Sequence, residues 1–199
     1  MALFVTIEGI DGSGKSTLAT GLADRLRDRG LDVVQTKEPT ESWLGEAVRR
    51  SVDEDQDPRV QALLFLADRS LHEEQIKAWL EGDRIVLCDR YHDSTLAYQG
   101  VALEGRVDNP QDWLARASSF LSLMPDLTLL LLLDPAKGVE RVAATRAKSP
   151  FERVAFLTRV QAAYEEMAGD PRFVKLDAAL PPDAVAEAAE QAILQRGQA

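Results

Sequence analysis

Apolar and polar positions alternate along the chain in blocks that predict strands and helices in turn. Short apolar runs typical of buried strands lie at residues 3–7, 32–36, 84–89, 127–133 and 173–176. Longer stretches between them suit helices at residues 17–29, 43–51, 58–81, 109–123, 135–145 and 150–168, with a last helix from 181–182 onward. This alternation is typical of an α/β fold with a parallel sheet. Since no repeat or linker divides the 199 residues, we expect a single domain.

The composition narrows the class of protein. No apolar run approaches the roughly 20 residues of a membrane span. The net charge of −10 argues against a nucleic-acid-binding surface, which is normally basic. Cys88 is the only cysteine, so no internal disulfide can form. Because the first strand begins near Leu3, leaving no room for a signal peptide, a cytoplasmic location is expected.

A phosphate-binding motif follows the first predicted strand. Residues 9–16 read GIDGSGKS and fit the pattern G-x-x-x-x-G-K-[ST]. A loop between a strand and a helix directs backbone N–H groups and the positive end of the helix dipole at one spot. Lys15 can then reach the β- and γ-phosphates of a nucleotide, and Ser16 can ligate Mg²⁺. The motif therefore predicts a nucleoside triphosphate site.

A second element of that site is expected at the end of the predicted strand 84–89. In an open parallel sheet, ligands bind beyond the carboxyl ends of the strands, which places Asp89 beside the phosphate loop as a metal-facing carboxylate. Arg90 follows it, and a guanidinium can grip a phosphate through two parallel hydrogen bonds.

Three segments resemble the thymidylate kinases. Residues 89–100 read DRYHDSTLAYQG and are similar to the signature D-R-[YFH]-x-x-S-[ST]-x-A-Y-Q-G. Residues 36–40 read TKEPT, similar to T-R-E-P-G, and residues 7–17 resemble I-E-G-x-[DE]-G-[SA]-G-K-[ST]-T. The resemblance runs essentially from end to end and indicates the bacterial lid-arginine type, within the P-loop nucleoside monophosphate kinases.

The resemblance implies a fold and a reaction. The fold is a three-layer α/β domain with a five-stranded parallel sheet in the order 2-3-1-4-5. The reaction moves the γ-phosphoryl group of ATP, with Mg²⁺, to thymidine 5′-monophosphate (dTMP), giving dTDP for dTTP biosynthesis. A homodimer through the helix 58–81 is also implied.

The resemblance further assigns site residues. Arg90 would hold the acceptor phosphate, while Asp11 and Glu38 would lie near the acceptor sugar and the metal. Phe65 would stack on thymine and Arg69 would read its edge, together with Thr95 and Gln99, and Tyr98 would crowd the sugar 2′ position. ATP would be bound by Gly9, Ile10, Asp11, Gly12, Ser13, Gly14, Lys15, Ser16, Thr17 and Arg141, and the metal by Ser16 and Asp89.

Some residues keep a simpler interpretation. From the residues alone, Phe65 is interpreted as core packing beside Leu64 and Leu66. No role is assigned to His92, and His72 is interpreted as a surface or interface residue.

A lid is expected at about residues 141–153. The variable positions of the phosphate loop hold no cation, so the positive charge needed in the transition state must come from elsewhere. Arg146 is the predicted catalytic arginine, with Arg141 and Arg153 as alternatives. Ser149-Pro150 stands where the family often has D-R, and Glu152 fits a helix-capping box.

The mechanism expected is in-line transfer, with Lys15, Arg90 and Arg146 stabilising charge and no general base. Two alternatives stay open. A nucleoside kinase on the same scaffold would use Glu38 as the base, and a nucleotide switch or ATPase would need no small-molecule acceptor.

Overall fold

The computed structural model describes residues 1–142 and 150–198, without the side chains of residues 150 and 151. Five parallel strands form one sheet in the order β2-β3-β1-β4-β5. This confirms the predicted order 2-3-1-4-5. The strands are β1 Leu3–Gly9, β2 Val33–Lys37, β3 Ile85–Asp89, β4 Leu127–Leu132 and β5 Phe173–Asp177.

Helices connect the strands. They are α1 Lys15–Asp28, α2 Trp43–Asp53, α3 Pro58–Glu81, α4 His92–Ser94, a π-helical turn Thr95–Gln99, α5 Gly100–Ala102, α6 Pro110–Ala117, α7 Pro135–Arg141, α8 Pro150–Met167 and α9 Pro182–Arg196. The bounds of α3 are those predicted, and the Asp57 side chain caps it by accepting from the Arg59 backbone N–H.

The two faces of β1 bury different side chains, because successive residues of a strand point to opposite faces. Leu3, Val5 and Ile7 join an apolar core with α1 and α9. Phe4 packs on the other face, with a cluster that includes Ile76 of α3. The last residues of β1 and β3 therefore emerge from a packed sheet, and this fixes the position of the loops that follow.

One prediction of a helix was wrong in its end, and one helical segment was missed. The helix predicted at 109–123 ends at Ala117, because the Ser118 hydroxyl donates to the Leu114 carbonyl and Ser122 donates to Glu73 of α3 instead. The helical segment from His92 to Ala102 was not predicted. Of the helix predicted at 135–145, α7 accounts for residues up to Arg141, and residues 143–145 lie outside the described part of the chain.

Candidate active site

The phosphate loop turns between β1 and α1 with a backbone that requires glycine. Gly9 and Gly12 have φ of +141° and +81°, values that L side chains rarely adopt. A Cβ at Gly12 would also lie 2.3 Å from the carbonyl oxygen of Gly138 in α7. The loop therefore packs directly against the backbone of α7, and this contact fixes the position of its N–H groups.

Lys15 folds back into the phosphate loop. Its Nζ donates to the Ile10 carbonyl at 2.8 Å and lies 3.5 Å from Ser13 Oγ. Burial, and then the nearby positive charge of Arg90, lower the pKa of Lys15 to about 7. Negative phosphate oxygens at the loop would favour the charged form, so this ammonium is arranged to meet an anion.

Ser16 and Asp89 form the predicted metal pair. Ser16 Oγ donates to Asp89 Oδ2 at 2.5 Å, across the gap between α1 and the end of β3. Asp89 Oδ1 is buried and has no hydrogen-bond partner among the described residues. Mg²⁺ commonly binds one or two protein oxygens together with substrate phosphates, and these two ligands fit that pattern. The described residues contain no cluster of three or more His, Cys, Asp or Glu side chains that would hold a metal without phosphates.

Arg90 lies beside the loop in a left-handed backbone conformation, with φ of +72°. Its Nη2 donates to Asp11 Oδ1 at 2.6 Å. Nη1 donates to the Gly9 carbonyl at 3.3 Å and to Ser94 Oγ at 3.2 Å. A non-glycine residue in this region is strained, and such strain is concentrated at functional sites. The conformation directs the guanidinium toward the loop.

Tyr98 connects the phosphate loop to the π-helical turn. Its hydroxyl accepts from the Asp11 backbone N–H at 2.9 Å, and its ring lies 4.9 Å from the Arg90 guanidinium carbon. The π-helical turn also carries Thr95, whose Oγ1 is buried and has no partner among the described residues. Turns of this kind are frequent at functional sites.

Glu8 is a buried carboxylate that is connected to Arg90 through Ser94. This fully buried carboxylate accepts from the Tyr91 backbone N–H at 2.8 Å, from Ser94 Oγ at 2.6 Å and from Tyr164 Oη at 2.9 Å. Burial, and then the negative charge of Asp93, raise the pKa of Glu8 to about 7. Because Ser94 also accepts from Arg90, Glu8 is connected to the guanidinium through one hydroxyl.

Glu38 and Arg69 form a buried ion pair on the other side of the site. Arg69 Nε and Nη2 both donate to Glu38 Oε2, at 3.0 Å and 2.6 Å. Nη2 also donates to the Tyr91 carbonyl, whereas the buried Nη1 has no partner among the described residues. His72 lies 3.0 Å from Glu38 Oε1 and is only 1% exposed, so its interpretation as a surface or interface residue was wrong.

Sequence reasoning missed Asp68 and His72. Asp68 accepts from the Thr40 backbone N–H and from the hydroxyls of Thr40 and Ser42, which fixes the loop after Glu38. The spacing of residues along α3 could have indicated both of them from the sequence. Asp68 and Arg69 come three and four residues after Phe65, and His72 comes four and three residues after them, so these four side chains share one face of α3.

One cleft of about 1600 Å³ brings most of the predicted residues together. Its lining includes Asp11, Gly12, Ser13, Gly14, Lys15, Ser16, Thr17, Glu38, Phe65, Arg69, Asp89, Arg90, Tyr98, Gln99, Arg141 and Arg153. Phe65 therefore faces the cleft as well as its helix. Gly9, Ile10 and Thr95 are not part of the lining, and Arg146 lies outside the described residues.

The family model for thymidylate kinase matches residues 7–189, which include the phosphate loop, Glu38, Arg69 and the segment from Asp89 to Gly100. The chain belongs to the thymidylate kinase family. Among its relatives, the probable thymidylate kinase of Methanospirillum hungatei JF-1 is 43% identical over 194 residues, covering 96% of this chain and 93% of the relative. That of Methanoculleus marisnigri is 45% identical over 187 residues, covering 92% and 90% of the two chains. That of Methanocorpusculum labreanum is 43% identical, with 96% and 97% covered.

The segments that resemble thymidylate kinases meet in the cleft although they are distant along the chain. Arg90 of the long signature contacts Asp11 of the phosphate loop, and the Glu38 backbone N–H donates to the Asp89 carbonyl at 3.0 Å. Through the described residues, no helix is long and apolar enough to cross a membrane.

Proposed function

We propose that this chain transfers the γ-phosphoryl group of ATP to dTMP in this cleft, giving ADP and dTDP, as a step toward dTTP. One observation carries the proposal. Arg90, whose guanidinium could bind a phosphate, contacts Asp11 of the phosphate loop and Tyr98, and it directly follows Asp89 of the Ser16–Asp89 pair. A site for an acceptor phosphate and a site for a donor triphosphate are thereby adjacent.

On the donor side, we assign ATP to the loop from Gly9 to Thr17. The N–H groups at the start of α1 would bind the phosphates, and the Lys15 ammonium would neutralise the β- and γ-oxygens. Ser16 and Asp89 would hold Mg²⁺, which supplies further positive charge at the phosphates when bound.

In the transfer step, an acceptor phosphate oxygen forms a bond to the γ-phosphorus while the bond to the β-γ bridging oxygen breaks, and ADP leaves with that oxygen. An ionised phosphate already has a nucleophilic oxygen, so no general base is required. Lys15 and Arg90 both stabilise the charge of the transferring group. Arg90 in particular would keep the two phosphates close despite their repulsion.

On the acceptor side, buried polar atoms without partners suit the thymine edge. Arg69, whose buried Nη1 has no partner among the described residues, lines the cleft together with Gln99 and with Phe65, which can stack on the ring. Thr95 Oγ1 is equally unpartnered but lies behind the lining, so its contact with the base would require a small movement. Tyr98 would lie at the sugar, with Asp11 and Glu38.

We assign the lid to residues 141–153. Arg141 Nη1 donates to the Gly12 carbonyl of the donor loop at 3.3 Å, and Arg153 lines the same cleft. Arg146 remains the proposed catalytic arginine of the lid-arginine type.

We also propose one functional domain, a cytoplasmic location and a homodimer through α3. Val60, Leu63 and Leu71 are exposed apolar side chains of that helix, which would be covered in such a dimer. The buried free thiol of Cys88 is compatible with a reducing compartment.

The alternative of a nucleoside kinase is disfavoured by the contacts of Glu38. Both of its carboxylate oxygens already interact with Arg69 and His72, so it is not arranged to take a proton from a sugar hydroxyl.

The decisive experiment is a coupled assay of ADP release from ATP and Mg²⁺ with dTMP, dUMP, thymidine or no acceptor. We expect release that depends on dTMP and is much weaker with the other three. Activity with thymidine but not dTMP would make the chain a nucleoside kinase, and release without an acceptor would leave only an ATPase.

A further inference from the structure

We propose that His72 is a positioning residue of the acceptor pocket, which holds Glu38 so that Arg69 presents its free Nη1 to the thymine edge. The proposal rests on the proposed function, because it assigns a role to a residue behind the dTMP site. His72 itself does not line the cleft.

A chain of side-chain contacts runs from β2 to the pocket. Thr36 Oγ1 lies 2.8 Å from His72 Nε2, and His72 Nδ1 lies 3.0 Å from Glu38 Oε1. Glu38 Oε2 in turn accepts hydrogen bonds from Nε and Nη2 of Arg69. His72, Glu38 and Arg69 are each at most 5% exposed, so water does not compete strongly for these bonds.

The chemistry of the partners fixes the roles in this chain. An ionised carboxylate accepts only, so Nδ1 carries a proton and donates to Glu38. In the neutral imidazole, Nε2 is then the acceptor, and the Thr36 hydroxyl donates to it. Glu38 therefore selects this tautomer, and the Thr36 hydroxyl is compatible with it, since a hydroxyl can donate where a carbonyl could not.

The consequence for the pocket follows from the count of donors on Arg69. Three of its five N–H groups are used by Glu38 and the Tyr91 carbonyl, and both remaining groups are on Nη1. The direction of Nη1 is thus set by the positions of the Glu38 carboxylate oxygen Oε2 and the Tyr91 carbonyl oxygen. His72 binds the other oxygen of that carboxylate and limits its rotation.

The test is steady-state kinetics of the full chain with four variants. His72→Phe removes both hydrogen bonds and keeps a planar ring. His72→Asn keeps an N–H group near the position of Nδ1, whereas His72→Gln places its amide nearer to Nε2. Thr36→Val removes only the outer bond. Ser70→Ala, at an exposed position beside Arg69, is the matched control on the same helix.

We expect His72→Phe to raise the KM for dTMP by about tenfold, as for the loss of a hydrogen bond to a charged group. The KM for ATP and kcat should each stay within about threefold of the wild-type values, because the donor loop is untouched. His72→Asn should restore most of the dTMP affinity and His72→Gln less of it. Thr36→Val should have a smaller effect in the same direction, and Ser70→Ala none.

A residue that only fills space gives a different result. His72→Phe would then keep the wild-type KM for dTMP, or would raise both KM values together, and either result overturns the proposal. If His72→Phe does not fold, equal KM values for the Asn and Gln variants overturn it, and the predicted order supports it. A wild-type enzyme without dTMP-dependent activity would reject the proposed function itself, before any variant is compared.

Discussion

Arg90 combines a backbone conformation that is unfavourable for arginine with several contacts that each position its guanidinium. The φ of +72° would suit glycine, and a left-handed conformation costs a non-glycine residue roughly 1–2 kcal/mol. Its contacts with Asp11, Ser94 and the Gly9 carbonyl explain how the conformation is held. Function and stability are therefore opposed at this residue.

Two substitutions at Arg90 separate its effect on activity from its effect on stability. Arg90→Ala and Arg90→Gly should both lower kcat by about 10²-fold or more, because each removes the charge that we propose binds the acceptor phosphate. Arg90→Gly should nevertheless be the more stable of the two, by about 1 kcal/mol, since glycine adopts this conformation without strain. Urea unfolding and the coupled assay measure both quantities. Equal stabilities would mean that the backbone relaxes when the side chain is lost.

The second residue with a measurable signature is Glu8. Its pKa of about 7 in the fold exceeds the ordinary value of 4.5, so the folded state binds a proton more tightly than the unfolded state. This contribution to stability is complete below about pH 4.5 and is lost as the pH rises through 7.

Glu8→Gln should remove that pH dependence. Between pH 5 and 7 we expect the free energy of unfolding of the wild type to fall relative to the variant, by an amount on the order of 1–3 kcal/mol. Parallel urea titrations at several pH values check it, with the difference between the two proteins as the readout because other groups titrate in both. A constant difference across this range would refute the raised pKa.

How far the sequence predicts this site depends on how local each contact is. Lys15, Ser16 and Asp89 follow from a motif and from the rule that strand ends meet at one edge, and the structure brings them together. Glu8 and His72 do not follow, because their partners come from elements far away along the chain. Their burial is a property of packing, which one sequence read element by element does not contain.

At the scale of elements, apolar periodicity located the strands well and failed where polar side chains end or begin a helix. The strands are central and apolar, and their bounds shift by only a few residues from the prediction. By contrast, α6 ends early through Ser118, and the segment from His92 to Ala102 is helical although it reads as a polar signature. The buried polar residues of this segment make contacts in the site, so the segment lacks the hydrophobic stripe from which a helix is predicted.

The contact of the phosphate loop with α7 gives a prediction at this scale. A Cβ at Gly138 would lie 2.7 Å from the Asp11 carbonyl oxygen, so Gly138→Ala must displace the loop or the helix. We expect kcat/KM for ATP to fall by about 10–100-fold, since small displacements of reacting groups are costly.

The matched control is Gly169→Ala, whose Cβ would make only an ordinary contact at 3.8 Å with the Glu166 carbonyl oxygen. It should leave ATP kinetics unchanged. If Gly138→Ala also left them unchanged, the loop would tolerate displacement and the close approach would have no role in binding ATP.

The whole molecule carries a net charge of −10, yet both proposed substrates are anions. The described lining of the cleft holds six Lys or Arg and six Asp or Glu residues, so the excess of negative charge lies on the rest of the molecule, which repels anions. Salt screens this long-range repulsion more than the short contacts with buried Lys15 and half-buried Arg90.

Raising the ionic strength from about 10 mM to about 150 mM should therefore increase the association rate of dTMP, while that of uncharged thymidine should not change. Stopped-flow binding to the full chain measures both rates. A slower association of dTMP at higher salt would show that the cations of the cleft dominate the field at long range.

The hydrogen bond from the Asp11 N–H to the Tyr98 hydroxyl joins the loop proposed for the donor to the turn proposed for the acceptor. A movement of either the loop or the turn changes the energy of this hydrogen bond, and therefore affects the other segment as well. Thermodynamic linkage then requires reciprocity: the factor by which a bound donor alters the dissociation constant of the acceptor must equal the factor in the opposite direction. A factor other than one would mean that the two substrates influence each other's binding before any phosphoryl group is transferred.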